Sequence, residues 1–514
     1  MQAARSVSAT ARNLKRRAQP FKKMIILVNP KSAKWKHRLP MSIMSLGAVL
    51  EGRHPYEIVD GNFESDLETK LVGTIKETNA KYLGITVMPG PQLLQAIPMT
   101  QNLKERFPEI KVVWGGYFPS LHANVVLQSG FVDFVIRGQG ELSFLELMDA
   151  LERNTSVDHI PGLSFLRDGE VVNNPKRPVT DPNTLPPMPY HRVDMKRYIG
   201  RTYLGAKTMT YHSSFGCPFL CGFCAVAALY KSRWVGKRAS AVVDEVLWFK
   251  ERHGVNAVEF VDNNFFVAEK RTIEIAEGLR GRGIAWWAEA RPDTLMLYSD
   301  ATWRLMRESG CKMIFFGAES SSQETLNLMD KGGKQTPDMV LDLAARAKAF
   351  DIIPEFSFVL GTPSEDVDGQ ISRDIRYIRR IKEINPRSEI VIYVFSPVFF
   401  DDADLLKKSQ EFGFAFPKRL VDWLEPEWTT FDMRKQPLTP WLNPRHFEQI
   451  FNFERVLNAR YPTVSDIKLK AWQTRLLKTL GAWRYKLGFY AAPWEIRFIA
   501  NRLFRYRQPE IEGF

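Results

Sequence analysis

Two separate series of short apolar runs, alternating with amphipathic stretches, constrain this chain more than any other feature. In the first, strand-length runs lie at 24–28, 58–60, 83–87, 112–114 and 132–136, with amphipathic stretches at 41–51, 92–106 and 140–151. Alternation at this spacing predicts an α/β domain over 24–152, a doubly wound parallel sheet that binds ligands at the carboxyl ends of its strands.

The second series has strand candidates at 208–214, 257–262, 284–290, 312–317, 355–360 and 390–396. Helical stretches fall at 240–252, 269–281, 300–309 and 337–350. Six β/α units fall short of the eight that close a barrel. A partial (β/α)6 barrel over 206–400 is expected, with its chemistry on the loops after the strands. Between the two series, 153–205 contains Leu185-Pro186-Pro187-Met188-Pro189. Proline at that density disfavours helix and sheet interiors, so this segment is expected to be a linker.

From residue 401 the strand signal fades, and 401–514 is expected to be a mainly helical region that covers the barrel mouth. Trp472, Leu476, Leu480, Trp483 and Leu487 recur at helical spacing among many Lys and Arg residues. The simpler expectation is that this stripe packs on the barrel, leaving the basic residues as a solvated face. The alternative is an interfacial helix.

The 514 residues are too many for one core. No apolar run reaches about 18 residues, so no transmembrane helix is expected. The net charge of +13 comes from the two ends. Residues 1–23 carry seven Lys/Arg and no acid, and 465–514 carry ten against four acids. We read 1–23 as a flexible basic tail, although its composition also fits a transit peptide. The balanced middle gives no reason to expect nucleic acid, whereas the basic ends suit an anionic lipid or protein surface.

Only four cysteines occur, and three fall in Cys217-Pro-Phe-Leu-Cys221-Gly-Phe-Cys224, directly after the first barrel strand. Cysteines this close cannot staple a fold, which points to a metal site in a reducing, cytoplasmic setting. Three thiolates can hold three irons of a four-iron cluster and leave the fourth iron open to a small molecule. Zinc would normally need a fourth protein ligand. Cys311 precedes its strand and so belongs at the opposite barrel mouth, and His212 lies within a strand.

The C-x-x-x-C-x-x-C loop, with Phe219-Leu220 and Phe223 between its cysteines, resembles the radical SAM superfamily. That resemblance implies a [4Fe-4S] cluster on Cys217, Cys221 and Cys224. It also implies S-adenosylmethionine (SAM) on the open iron and one-electron cleavage of SAM to a deoxyadenosyl radical. The strand ends are similar to the family's SAM-contacting segments. Asp262 and Asn263 would meet the amino group, Arg291 the carboxylate, Glu319 and Ser320 the ribose, and Gly361 the region near adenine.

In the first series, Gly115-Gly116-Tyr117 and Gly138-Gln139-Gly140-Glu141 each follow a strand. Ahead of such a barrel, they resemble the Rossmann-like cobalamin-binding domain of cobalamin-dependent radical SAM enzymes. The first strand is followed by Asn29 through His37 and lacks D-x-H-x-x-G, so no histidine ligand to cobalt is implied. The resemblance leads to an enzyme that methylates an unactivated carbon, or phosphorus, of a small and possibly lipid-like substrate. It would need a reductant protein such as flavodoxin or ferredoxin, and peripheral membrane contact is a further expectation. A radical oxidative cyclase of the same superfamily, and a non-catalytic cobalamin or iron–sulfur carrier, stay open.

Overall fold

The computed structural model describes residues 23–32, 38–329, 334–429, 438–464 and 469–504. The basic tail lies outside them apart from Lys23, as do residues 33–37 of the loop after the first strand.

The N-terminal sheet has seven strands: β1 Ile25–Asn29, β2 Tyr56–Asp60, β3 Tyr82–Thr86, β4 Lys111–Gly115, β5 Phe134–Ile136, β6 Leu163–Arg167 and β7 Glu170–Asn173. Their order is β2-β1-β3-β4-β5-β6-β7. Because β1 pairs in parallel with both β2 and β3, a crevice opens at the carboxyl ends of β1 and β3. Strand alternation builds both layers. Ile25 and Leu27 pack with helices Met41–Leu50 and Glu141–Arg153. Ile26 and Val28 face the other way, toward helices Leu67–Thr78 and Pro91–Arg106.

The sheet continues into the stretch expected to be linker. β6 adds antiparallel to β5 and β7 antiparallel to β6, and the dense prolines begin only afterwards, at Pro175. The remaining connection is pinned back on this domain, where the Tyr198 hydroxyl donates to Asp60 at 2.8 Å.

The second sheet contains β8 Thr208–Tyr211, β11 Ala257–Phe260, β12 Ala285–Ala290, β13 Cys311–Glu319, β14 Ile353–Leu360 and β15 Glu389–Val394. Every neighbouring pair is parallel, in the order β15-β14-β13-β12-β11-β8. This is an open six-stranded partial barrel. A two-stranded antiparallel ribbon, β9 Ser214–Gly216 with β10 Trp234–Gly236, brackets the cysteine loop.

The C-terminal region is mainly helical. Helix Pro444–Arg460 begins at Asn443, whose side chain forms a capping box with His446. It packs against helix Ala471–Leu487 in an unexpected way. The buried edge of the latter is Leu477, Gly481, Arg484 and Tyr485, whereas Trp472, Leu476, Trp483 and Leu487 are exposed. The reason is Gly481: a Cβ there would lie 2.7 Å from the Arg460 nitrogen, so the backbones meet where there is no side chain. Of the apolar stripe, Leu480 packs against the core, whereas the rest is not the packing edge. Among the described residues, no helix is long and apolar enough to cross a membrane.

Candidate active site

The cysteine loop starts from a backbone that requires glycine. Gly216 has φ +75°, and a Cβ there would fall 2.1 Å from the Arg233 carbonyl oxygen across the ribbon. Behind it, Asp262 at the end of β11 is fully buried. Its carboxylate accepts from the Ser213 amide at 2.9 Å, the Ser213 hydroxyl at 3.0 Å and the Ser214 hydroxyl at 2.5 Å. Asp262 thus fastens the end of β8, from which the loop departs, and its oxygens are already in use. Arg271 completes the clamp, donating to the Ser213 carbonyl at 2.9 Å and hydroxyl at 2.8 Å.

Cys221 is buried, and Cys217 and Cys224 are half-buried. Burial raises the Cys217 thiol, with Arg291 pulling the other way. Burial, and then the neighbouring Cys221, push Cys224 up to about 12. Among the described residues, no three Cys, His, Asp or Glu side chains converge as ligands of a single ion do. Cys217 and Cys224 are each close enough to Cys221 to feel its charge, and three thiolates on one loop can each take an iron of a cluster. Beside them the Asn264 carboxamide is buried next to the Cys217 thiol, and its polar atoms make no hydrogen bond of normal geometry. Buried polar atoms left unpaired are costly, and a bound group would satisfy them.

Arg291 follows β12 and is 5% exposed. Two of its nitrogens clasp Asp293 at 3.0 and 2.8 Å. A third donates to the Cys221 sulfur at 3.2 Å, and the guanidinium lies 3.8 Å from the Phe219 ring centre. The predicted carboxylate partner is therefore at the cysteine loop, but tied to protein groups.

The other strand ends open on the same side of the sheet. Glu319 ends β13 at a break in register, with φ +65°, a strained conformation for a buried non-glycine residue. Ser320 is committed elsewhere, since its hydroxyl donates to Asp374 at 3.2 Å and accepts from the Ser322 amide at 3.2 Å. Gly361 follows β14 at φ +73° under Leu442, and its carbonyl accepts from the Trp441 indole at 2.9 Å. Glu289, on the inward edge of β12, is held protonated to about 8 by burial, with Arg38 opposing. Cys311 begins β13, buried at the far end of that strand.

The N-terminal glycines behave differently from one another. Gly116 has φ +99°, and a Cβ there would meet the Val87 carbonyl at 2.8 Å, so it serves the fold. Gly115 is 3.9 Å from its nearest neighbour by the same construction, and Gly140 has only ordinary contacts at 3.5 and 3.6 Å. Gly138 faces open space. Around this turn Arg137 Nε, Gln139 Nε2 and Glu141 Oε2 are buried without partners. Burial raises the Glu141 carboxyl. Three unpaired polar atoms beside an open glycine turn fit a polar cofactor approaching the backbone.

Tyr117 joins the two halves. It opens the helix Tyr117–Leu121 after β4, which packs on helix Ala225–Tyr230 directly after the cysteine loop, and its phenol sits close enough to Cys224 and Glu289 to feel their charge. By resemblance Tyr117 belongs with cobalamin and Cys224 with the cluster, and nothing in the sequence shows that the two come close. A second junction surrounds His122, whose ring lies 5.0–5.2 Å from those of Phe118, Phe399, Phe416 and Trp423. Burial there lowers its pKa to about 4, leaving it neutral.

A glycine-lined α/β domain bridged to an open barrel headed by three cysteines defines the cobalamin-binding branch of the radical SAM superfamily. The chain belongs to it, matching the B12 binding domain over 39–148 and the Radical SAM superfamily over 211–370. It is 29% identical over 346 residues to an uncharacterized methyltransferase of Pyrococcus horikoshii, covering 66% of this chain and 73% of that one. To an anaerobic magnesium-protoporphyrin IX monomethyl ester cyclase of Synechocystis sp. it is 24% identical over 357 residues, covering 65% and 70%. The structure of the cobalamin-dependent S-adenosylmethionine radical enzyme OxsB superposes with a TM-score of 0.69 at 15% identity, covering 94% of this chain and 75% of that one. This last likeness is one of fold.

Proposed function

We propose that this enzyme transfers a methyl group from SAM to an unactivated carbon, or a phosphorus, of a small substrate. The observation that carries the reading is the packing of helix Tyr117–Leu121 on helix Ala225–Tyr230, which sets the glycine-lined strand end of one domain beside the cysteine loop of the other.

When bound, the cluster would supply the electron that cleaves SAM to a radical, and cobalamin would supply a carrier for the methyl group. Cys217, Cys221 and Cys224 would hold the cluster, with Arg291 placing positive charge beside it. Asn263 and Glu319 have side chains that could reach SAM, with Gly361 giving close approach near the adenine. Asp262 positions the loop instead of touching SAM, and Ser320 anchors the strand end through Asp374. Gly115, Gly138, Gly140 and Glu141 form the cobalamin cradle, and Tyr117 closes the gap between the two cofactors. Trp287, whose indole donates to Glu355 at 3.0 Å, and Phe315 alongside it line the barrel interior and help exclude water.

A reductant such as flavodoxin or ferredoxin would deliver electrons, and the aromatic end of β15, Phe395 with Phe399 and Phe400, suits an apolar, lipid-like substrate. The test is anaerobic turnover with methyl-deuterated SAM and candidate acceptors. A product heavier by one labelled methyl supports the proposal. Loss of hydrogens without added mass would move the enzyme to the oxidative cyclases, and no SAM cleavage by the reduced, reconstituted protein would leave a carrier.

A further inference from the structure

Among the described residues, exposed large hydrophobic side chains concentrate on helix Ala471–Leu487 and the segment after it. Of the sixteen large hydrophobic side chains exposed among the described residues, eight fall within 472–503. Trp494 and Leu487 are each 72% exposed, Leu503 62% and Trp472 59%. Isolated exposed hydrophobics need no explanation, but a run of this density does.

These side chains form one feature, not a scatter. On a helical wheel the exposed stripe is centred roughly 120° from the edge that packs on the core. Its two ends are joined to the segments that follow. Trp472 packs edge-on against Phe504 at 5.3 Å, and Trp483 stacks on Phe489 at 6.0 Å. Arg484 fixes this return of the chain. Buried beneath it, the guanidinium pairs with Glu495 and donates to the Ala491 carbonyl at 2.7 Å.

Charge decides what covers this surface. Lys470, Arg475, Lys478, Lys486, Arg497 and Arg502 are all exposed. The one acid among residues 469–504, Glu495, is consumed by Arg484. A symmetric contact between two copies would set these cations face to face, which like-charge repulsion opposes. Exposed Trp and Leu flanked on the wheel by Arg475 and Lys486, with Arg497 and Arg502 on the returning segment, instead match the boundary between phosphate headgroups and acyl chains.

We infer that the face formed by Trp472, Trp483, Leu487 and Trp494 docks the enzyme on an anionic phospholipid bilayer, lying in the interface without crossing it. The inference rests on surface residues alone and holds whatever reaction the barrel performs.

The test is flotation of the full-length protein with vesicles of equal parts phosphatidylglycerol and phosphatidylcholine, and with phosphatidylcholine alone. Expected are binding to the anionic vesicles at low salt, weakening as salt rises, and weaker binding to the neutral ones. Two variants probe the two components, Trp483→Ser/Leu487→Ser/Trp494→Ser and Arg475→Glu/Lys486→Glu/Arg497→Glu. Each should lose at least about tenfold in vesicle partition while keeping the parent's circular dichroism and cluster absorbance. Absence of binding at low salt, or binding unchanged in both variants, overturns the inference. So does a dimer by sedimentation velocity that the serine variant dissociates, since the face would then be covered by a second copy.

Discussion

The Arg291 guanidinium donates to the Cys221 sulfur at 3.2 Å while two of its other nitrogens hold Asp293. A buried, permanently charged cation therefore sits against the middle cysteine of the loop, and Asp293 fixes its direction. Positive charge there favours thiolate over thiol and stabilises the added electron of a reduced cluster. Arg291→Gln should lower the midpoint potential of the reconstituted cluster and cut SAM cleavage at least about tenfold. Arg291→Lys should recover the potential better than the cleavage rate, because it keeps the charge and loses the paired grip on Asp293. A redox titration followed by electron paramagnetic resonance checks both. An unchanged potential in Arg291→Gln would remove the arginine from this role.

Replacing Cys217, Cys221 or Cys224 with Ala should abolish SAM cleavage and most of the cluster absorbance. Cys311→Ala should spare both, because that thiol is buried at the opposite end of β13. Its cost is packing, about 1 kcal/mol for a small cavity. Absorbance spectra and SAM cleavage of the four anaerobically reconstituted variants measure this directly.

Cobalamin retention separates glycines that serve the fold from those that serve the ligand. Gly140→Leu meets only ordinary contacts at its Cβ, so it should fold normally and fail to retain hydroxocobalamin through desalting. Gly116→Ala adds a Cβ 2.8 Å from a carbonyl oxygen at φ +99° and should lose roughly 1–3 kcal/mol of stability whether or not cobalamin is present. Normal retention by Gly140→Leu would place the cofactor's approach elsewhere.

Glu289 makes the stability of the cofactor-free protein depend on pH. Burial keeps it protonated up to about 8 in the folded state, against 4.5 for the free carboxyl. The folded state holds the extra proton, so this contribution is complete below about 4.5 and is lost as pH rises through 8. Between those limits the loss is at most about 1.4 kcal/mol for each step of one in pH. Glu289→Gln cannot ionise, so it should gain stability over the parent as pH rises from 5 to 8.5. Urea unfolding across that range would show the two curves diverging. Parallel curves would mean that Arg38 holds the carboxylate ionised.

Much of the architecture was legible because it depends on local pattern. β11 to β15 lie within two or three residues of the strands expected from apolar runs. The helices at 239–253, 269–279, 300–308 and 337–349 differ little more from their expected bounds. The hairpin β6–β7 was hidden because the prolines that follow it coloured the whole stretch. The ribbon β9–β10 was hidden because three-residue strands have too little sequence for a periodicity to emerge.

The sequence by itself determined the two α/β layers, the order of the strand ends and the three-cysteine loop, because side-chain period and motif spacing are properties of neighbours along the chain. Only the tertiary structure decided which strand-end residues are free to touch a ligand. Asp262 and Ser320 look like ligand contacts in sequence, yet their polar atoms are taken by Ser213 and Asp374, partners about fifty residues away. It likewise decided that helix Tyr117–Leu121 of one domain packs on helix Ala225–Tyr230 of the other. Helix Ala471–Leu487 makes the same point, since it turns its tryptophans outward. The pattern of a helix says that it has an apolar stripe, but which edge is buried depends on where a partner backbone can approach. Here the approach comes at Gly481, where no side chain stands in the way.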